Sequence, residues 1–176
     1  MTPEQLRQIQ APLKARYQSD PGAALQTFRA EAMLDFDHPS CSIRTGFAQY
    51  TAGLHPAAGG DGSEACSGDL LLEALVACAG VTFNVVAIAM SIGFRSARVF
   101  AEGTGDFRGT LGVSRDVPVG MTQITLRFEI DSDASDEQLA SLLRLTERYC
   151  VIAQTLKSPP QFATRIERTP SPPAGT

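Results

Sequence analysis

CSGDLLLEALVACAGVTFNVVAIAMSI, residues 66–92, carries only a handful of polar side chains after Leu70, chiefly Glu73, Thr82, Asn84 and Ser91. Beyond that leucine it has no proline and one glycine, Gly80. Ala, Leu and Met favour a helix, and the run is too long for a strand. Ser67 reads as the cap, with Asp69 as a first-turn charge at the positive end of the dipole. Gly93 stands where a left-handed residue closes a helix. A helix apolar on nearly every face must be surrounded, by lipid or by protein. Roughly 20 residues would span a bilayer. Yet much of the run is alanine, and Glu73 inside it would cost about 2.5 kcal/mol or more at mid-membrane. Neither flank carries a Lys/Arg cluster. The stretch reads as a core helix, with Cys78 near its middle.

The chain of 176 residues suits one domain with short trimmings. An apolar share of 43% and a charged share of 19% fit a globular protein. A net charge of −4 argues against nucleic acid or an anionic membrane as partner. The N-terminus MTPEQLRQIQ has no basic region leading into an apolar one, so it does not read as a secretory signal; a cytoplasmic location is expected. The four cysteines, Cys41, Cys66, Cys78 and Cys150, show no metal-ligand spacing, and His38 and His55 each precede a proline. No metal site and no cofactor is expected.

Thr2-Pro3-Glu4-Gln5 opens a first helix, with Thr2 as cap, Gln5 as its reciprocal partner and Pro12 as a kink or interruption. Its mostly polar face predicts an appendage over residues 1–22. Strands are expected over 24–36 and 41–54, followed by a small-residue loop to Ser67. After the core helix, Ala97–Gly105 and Phe107–Val113 read as two strands. Gln123–Asp131 alternates cleanly, with Ile124, Leu126, Phe128 and Ile130 on one face. A second helix is expected over 136–156, capped by Ser135, with Leu139, Leu142, Leu143, Leu145 and Tyr149 buried. Phe162–Glu167 reads as a final strand and 169–176 as a disordered tail, leaving residues 23–168 as the domain. The fold class is α+β, antiparallel sheets packed around a buried central helix. One small sheet covers only one side of such a helix. An intimate homodimer, with the core helices of both copies between two sheets, is the expected remedy.

Cys78 and Cys150 are the two thiols on regular core elements. Free cysteine is often a small buried hydrophobe, so the residues alone leave filler and reactive thiol both open. At this point the chain resembles the OsmC/Ohr family of osmotically inducible and organic-hydroperoxide-resistance proteins. GGDG (59–62), the GDLLLEALVACAG helix start (68–80) and ERYCVIAQTL (147–156) before a short strand carry the resemblance, which runs from about Cys41 to Glu167. It implies an OsmC-like intertwined homodimer and thiol peroxidase chemistry. Cys78 would be the peroxidatic thiol attacking an organic hydroperoxide, and Cys150 the resolving thiol that closes a disulfide. An external dithiol, a lipoylated protein in the best-known members, would reduce that bond.

The departures are specific. The hydroperoxide-resistance branch opens the central helix with a glutamate after a proline, and an N-terminal arginine pairs with it beside the thiolate. The position ten before Cys78 falls about 80° from it around a helix, and here it is Gly68. Asp69 and Glu73 lie about 180° and 140° away. Arg44 and Arg29 are the candidate cations, Arg44 being preferred as closer to the family-like region. The usual proline after the second cysteine is Val151. Cys66 sits where a helix dipole favours an anion, yet about 18 Å along the helix from Cys78. It reads either as a partner for Cys150 or another copy's thiol, or as a loop cysteine without a role. Glu147 shares the Cys150 face, and Cys41 reads as strand filler. Two functions follow: a thiol-dependent hydroperoxide reductase, or a non-catalytic dimeric protein of the same fold that binds a small ligand or senses redox state.

Overall fold

The computed structural model describes residues 1–35, 38–45 and 48–168. Expectations at Phe36, Gly46, Phe47 and the 169–176 tail fall outside these residues. Helix α1, Pro3–Ser19, begins with the anticipated reciprocal cap: Gln5 N donates to Thr2 Oγ1 at 3.2 Å and Thr2 N to Gln5 Oε1 at 2.8 Å. Pro12 does not interrupt it, because the hydrogen bond it forgoes lies on an exposed turn that water can satisfy. Leu6 is buried, and α1 packs on the central helix.

A four-stranded sheet follows, in the order β1 (Glu31–Leu34), β2 (Cys41–Arg44), β3 (Gln49–Gly53) and β4 (Ala65–Cys66). The first three pair antiparallel, whereas β4 adds parallel to β3, with Gly53 opposite Cys66. The stretch 41–54 is thus a hairpin rather than one extended run, turning at Thr45 and Ala48. Between β3 and β4 the GGDG segment is backbone machinery. Gly59 and Gly62 hold φ of 98° and 80°, which L side chains rarely adopt. The Asp61 carboxylate accepts from Ser63 N at 2.8 Å and Ser63 Oγ at 2.6 Å.

The central helix α2 spans Ser67–Ala89. Two details of its ends differ from expectation. Cys66, not Ser67, is the N-cap, its Sγ accepting from Gly68 N at 3.4 Å. The left-handed residue is Ser91, φ 55°, not Gly93. Ile92 N bonds Ala87 O at 2.9 Å and Ser91 N bonds Ile88 O at 3.0 Å, the paired closure of a Schellman motif. Ile92 is buried in the same core as Phe83 and Leu142, and that burial offsets the left-handed cost at a serine. Along α2, Leu75, Ala79, Phe83, Val86 and Ala87 are buried, within about 120° of the circumference. The opposite side is open, with Val81 67% exposed. Half of the cover that the sequence requires comes from this chain.

That half consists of a long hairpin and the C-terminal helices. Strands β5 (Ser96–Gly105) and β6 (Met121–Asp131) pair antiparallel from Ser96↔Asp131 to Gly105↔Met121. Ile124, Leu126, Phe128 and Ile130 turn inward as their alternation predicts, and Phe128 stacks on Phe83 with ring centres 4.8 Å apart. The expected strand over 107–113 is instead a helical turn, α3 (Phe107–Thr110), capped by Asp106, whose carboxylate accepts from Arg108 N at 3.0 Å. An aspartate bonding the backbone two residues on competes with strand pairing. Gly109 completes the turn: a Cβ there would lie 2.6 Å from the Pro118 carbonyl oxygen.

The last helical stretch is two helices, α4 (Asp136–Tyr149) and α5 (Val151–Lys157), because Cys150 is extended at φ −72°, ψ 107°. Ser135 caps α4 as expected, and Gln138 completes a capping box with it. The buried stripe is Leu142, Thr146 and Cys150, joined by half-buried Leu139 and Leu145; Leu143 and Tyr149 face outward, against expectation. Phe162–Glu167 forms no strand. Nothing in the described chain pairs with it, and Phe162 and Ile166 are left exposed.

Candidate functional site

Cys78 and Cys150 meet where α2 crosses the junction of α4 and α5. Cys78 lies at the border between the buried and open sides of α2 and is half-buried. Cys150 is fully buried, at the break that separates the two helices. Both belong to one apolar cluster with Leu75, Ala79, Ala153 and Ile152. Each thiol shifts the acidity of the other.

The break at Cys150 gives this meeting its chemistry. Where a helix starts, its first N–H groups have no partner inside the helix, and Cys150 supplies α5 with no side-chain cap. The Ile152 and Val151 amides at this helix start, and the Thr82 hydroxyl one turn along α2, act to lower the Cys78 thiol. Burial alone raises the Cys78 thiol. The Ile152 amide, the Cys150 thiol, the Val151 amide and the Thr82 hydroxyl together outweigh it, so Cys78 ionises below the ordinary thiol range. Cys150 moves the other way: burial raises it, the Ala153 amide partly opposes this, and the neighbouring Cys78 charge raises it again. The two acidities are thus driven apart, Cys78 downward and Cys150 upward.

The remaining candidates are elsewhere. Arg44 is exposed on β2, its Nε bonding Glu31 Oε1 at 2.7 Å across the β1–β2 pair. No charged side chain among the described residues contributes to the Cys78 shift. Arg29, Asp69 and Glu73 are exposed. Glu147 pairs with Lys157 at the surface rather than orienting Cys150. Cys41 is half-buried in β2 opposite Ala52. Cys66 lines a cavity of about 340 Å³ with His55, Leu72, Phe107 and Met121. Since α2 is unbroken from Ser67, this cavity is a different place from the thiol pair. Among the described residues no group of three or more His, Cys, Asp and Glu side chains is gathered to hold a metal.

Thr82 and the two amides were not legible as site groups. The spacing of Thr82, four residues after Cys78, was the available signal. The amides depended on a helix break for which periodicity gives no warning.

Comparison with known proteins follows the same residues. The family model described as OsmC-like protein matches residues 60–165. A search of curated proteins finds no match. Among solved structures, an OsmC-like protein from Mycoplasma pneumoniae superposes with a TM-score of 0.64 at 22% identity, covering 76% of this chain and 89% of its own. An organic hydroperoxide resistance protein from Elizabethkingia anophelis gives 0.63 at 15%, with 77% and 91% covered. An organic hydroperoxide resistance protein from Legionella pneumophila gives 0.60 at 15%, with 76% and 91% covered. At these identities the likeness is one of fold.

Proposed function

The chain belongs to the OsmC-like family, and from that premise we propose that it serves in peroxide stress as a thiol-dependent reductase of organic hydroperoxides, with Cys78 peroxidatic and Cys150 resolving. The observation that carries the reading is the packing of two thiols from separate helices in one cluster, with their acidities driven apart. Hydroperoxide resistance is also what several relatives of the same fold are named for.

The Cys78 thiolate attacks the distal peroxide oxygen. An S–O bond forms as the O–O bond breaks, and the departing alkoxide takes a proton to leave as alcohol. Cys78 is then a sulfenic acid, oxidised by two electrons. Cys150 gives up its proton and attacks that sulfur, forming the disulfide and releasing water. An external dithiol, such as a lipoylated protein, exchanges with the disulfide, restores both thiols and leaves as its own disulfide. Such a cycle needs a reducing compartment between turnovers, so the cytoplasm is the proposed location.

The catalytic unit is assigned to residues 23–168, with 1–22 as an appendage, and it works as an intertwined homodimer. The open side of α2, centred on Val81, supports that assembly. In the dimer Arg44 is the cation offered to Cys78, in competition with its own Glu31. The second reading is a non-catalytic dimer that binds a small ligand or senses redox state. It draws on the cavity beside Cys66 and on Gly68 standing where a carboxylate would help the thiolate.

Single-turnover mixing of reduced protein with cumene hydroperoxide separates the readings. Wild type is expected to lose two free thiols, Cys150→Ser to stop at a sulfenic acid trapped by dimedone, and Cys78→Ser to react at neither. Thiol loss that is absent, or unchanged in Cys78→Ser, removes the enzyme reading.

A further inference from the structure

We infer that Gln154 is a positioning residue whose side chain holds open the break between α4 and α5, a role that rests on the peroxidase reading and adds a residue to it. By holding the break, it keeps Cys150 in the cluster against which Cys78 packs. In a continuous helix the Glu147 carbonyl would accept from the N–H of Val151, four residues on. Here Val151 opens α5 instead, which leaves Glu147 O among the orphan acceptors at the end of α4. The Gln154 side chain supplies the missing donor, Nε2 to Glu147 O at 2.8 Å.

That bond is available only to the broken form. Its partners are 7 residues apart in sequence, which is about 10.5 Å along an unbroken helix and beyond the reach of a glutamine. The Lys157–Glu147 ion pair spans the same break, but both side chains are about half exposed and such a pair contributes little. Tyr149-Cys150-Val151 holds neither glycine nor proline, so nothing in the local sequence enforces an interruption. A contact made by one of two competing forms and not by the other shifts the balance between them. The consequence lies at Cys150. Extended at φ −72°, ψ 107°, it turns α5 so that Ile152 and Ala153 pack with Leu75, Ala79 and Cys78 of α2. The resolving thiol is thereby kept in the cluster where it must meet the Cys78 sulfur.

The test is the equilibrium of the full-length reduced chain with a glutathione redox buffer. Cys78 and Cys150 give up two protons and two electrons to form their disulfide, and oxidised glutathione takes them up as two thiols. Mass spectrometry of the acid-trapped Cys78–Cys150 peptide pair gives the constant. Gln154→Leu keeps helix propensity and removes the donor. It is expected to lower the constant about fivefold, the worth of one neutral hydrogen bond. Gln154→Arg, which retains N–H donors on a long side chain, should follow wild type. In a Val151→Pro background the ring bars the Glu147 carbonyl from a continuous helix, so there Gln154→Leu should change nothing. An unchanged constant in Gln154→Leu overturns the inference, as does an equal loss in the proline background or in Gln154→Arg. Gln154 is exposed, and thermal melting checks that each variant folds. Should Val151→Pro fail to fold, Gln154→Arg decides alone, a wild-type constant supporting the role and one as low as that of Gln154→Leu refuting it. Glutathione exchange uses no peroxide. The expected pattern in a protein inert to cumene hydroperoxide would therefore sink the peroxidase reading while leaving the positioning role in place.

Discussion

Cys78 on α2 packs in one apolar cluster with Cys150 at the α4–α5 break, and the acidities of the two thiols are driven apart: that of half-buried Cys78 is lowered from the ordinary thiol value and that of buried Cys150 is raised. Each thiol's position explains its sense. Cys78 collects donors from two helices. Cys150 sits in an apolar cluster next to the negative charge that those donors stabilise.

The first consequence is an order of reaction with pH. As pH rises, Cys78 becomes a thiolate below the ordinary thiol range and Cys150 only above it. Stepwise alkylation of the reduced native protein should label Cys78 first at neutral pH and leave Cys150 untouched until the chain is unfolded. Cys150→Ala removes a donor to Cys78 and should shift the Cys78 profile upward. Equal labelling of both thiols at neutral pH would contradict the polarised pair.

Val151 offers a cleaner probe of the backbone donors. Proline fits the first position of a helix, and the residue before it, Cys150, already has the extended ψ of 107° that a following proline favours. Val151→Pro should therefore preserve α5 while deleting one N–H aimed at Cys78. The expected outcome is an unchanged circular dichroism spectrum with a Cys78 alkylation profile moved to higher pH. A profile that stays in place would show that the Val151 amide contributes nothing to the thiolate.

How far the sequence carried differs by element, for physical reasons. The caps at Thr2 and Ser135 and the inward face of β6 rest on local chemistry and short periods, and all three were readable. The apolar α2 announced a buried helix, and Cys78 and Cys150 stood out as the two thiols on regular core elements, their roles coming from the family resemblance. The α4–α5 break was hidden, since Tyr149-Cys150-Val151 holds neither glycine nor proline to mark it. Strand propensity over 107–113 lost to the Asp106 cap. Phe162 and Ile166 have strand character but pair with no strand among the described residues, so alternation alone did not make them one.

Thr146 yields a stability prediction. It is fully buried between Leu142 and Cys150 on the inner stripe of α4, and its hydroxyl has no hydrogen-bond partner among the described residues. An unmet buried hydroxyl costs about 1–3 kcal/mol, and valine has the same shape without that cost. Thr146→Val should stabilise the fold by about 1 kcal/mol, raising Tm by about 2–4 °C. A lower Tm would mean that the hydroxyl is bonded in the assembled protein.

Val81 tests the dimer. It is 67% exposed at the centre of the open side of α2, flanked one turn away by Ala77 and Val85. On a solvated helix, replacing it changes stability by about 0.5 kcal/mol or less. Between two copies of α2, an arginine there would bring two like charges into an apolar interface with no partner, a cost of several kcal/mol. Val81→Arg is thus nearly silent in a monomer and destructive in a dimer. Sedimentation of wild type should give twice the chain mass, and Val81→Arg should give the single-chain mass or an unfolded protein. Val81→Ala, which trims the surface without adding charge, should remain dimeric. If Val81→Arg sediments as wild type does with an unchanged melting temperature, the open side of α2 faces water, and the apolar cover that this helix demands must come from elsewhere.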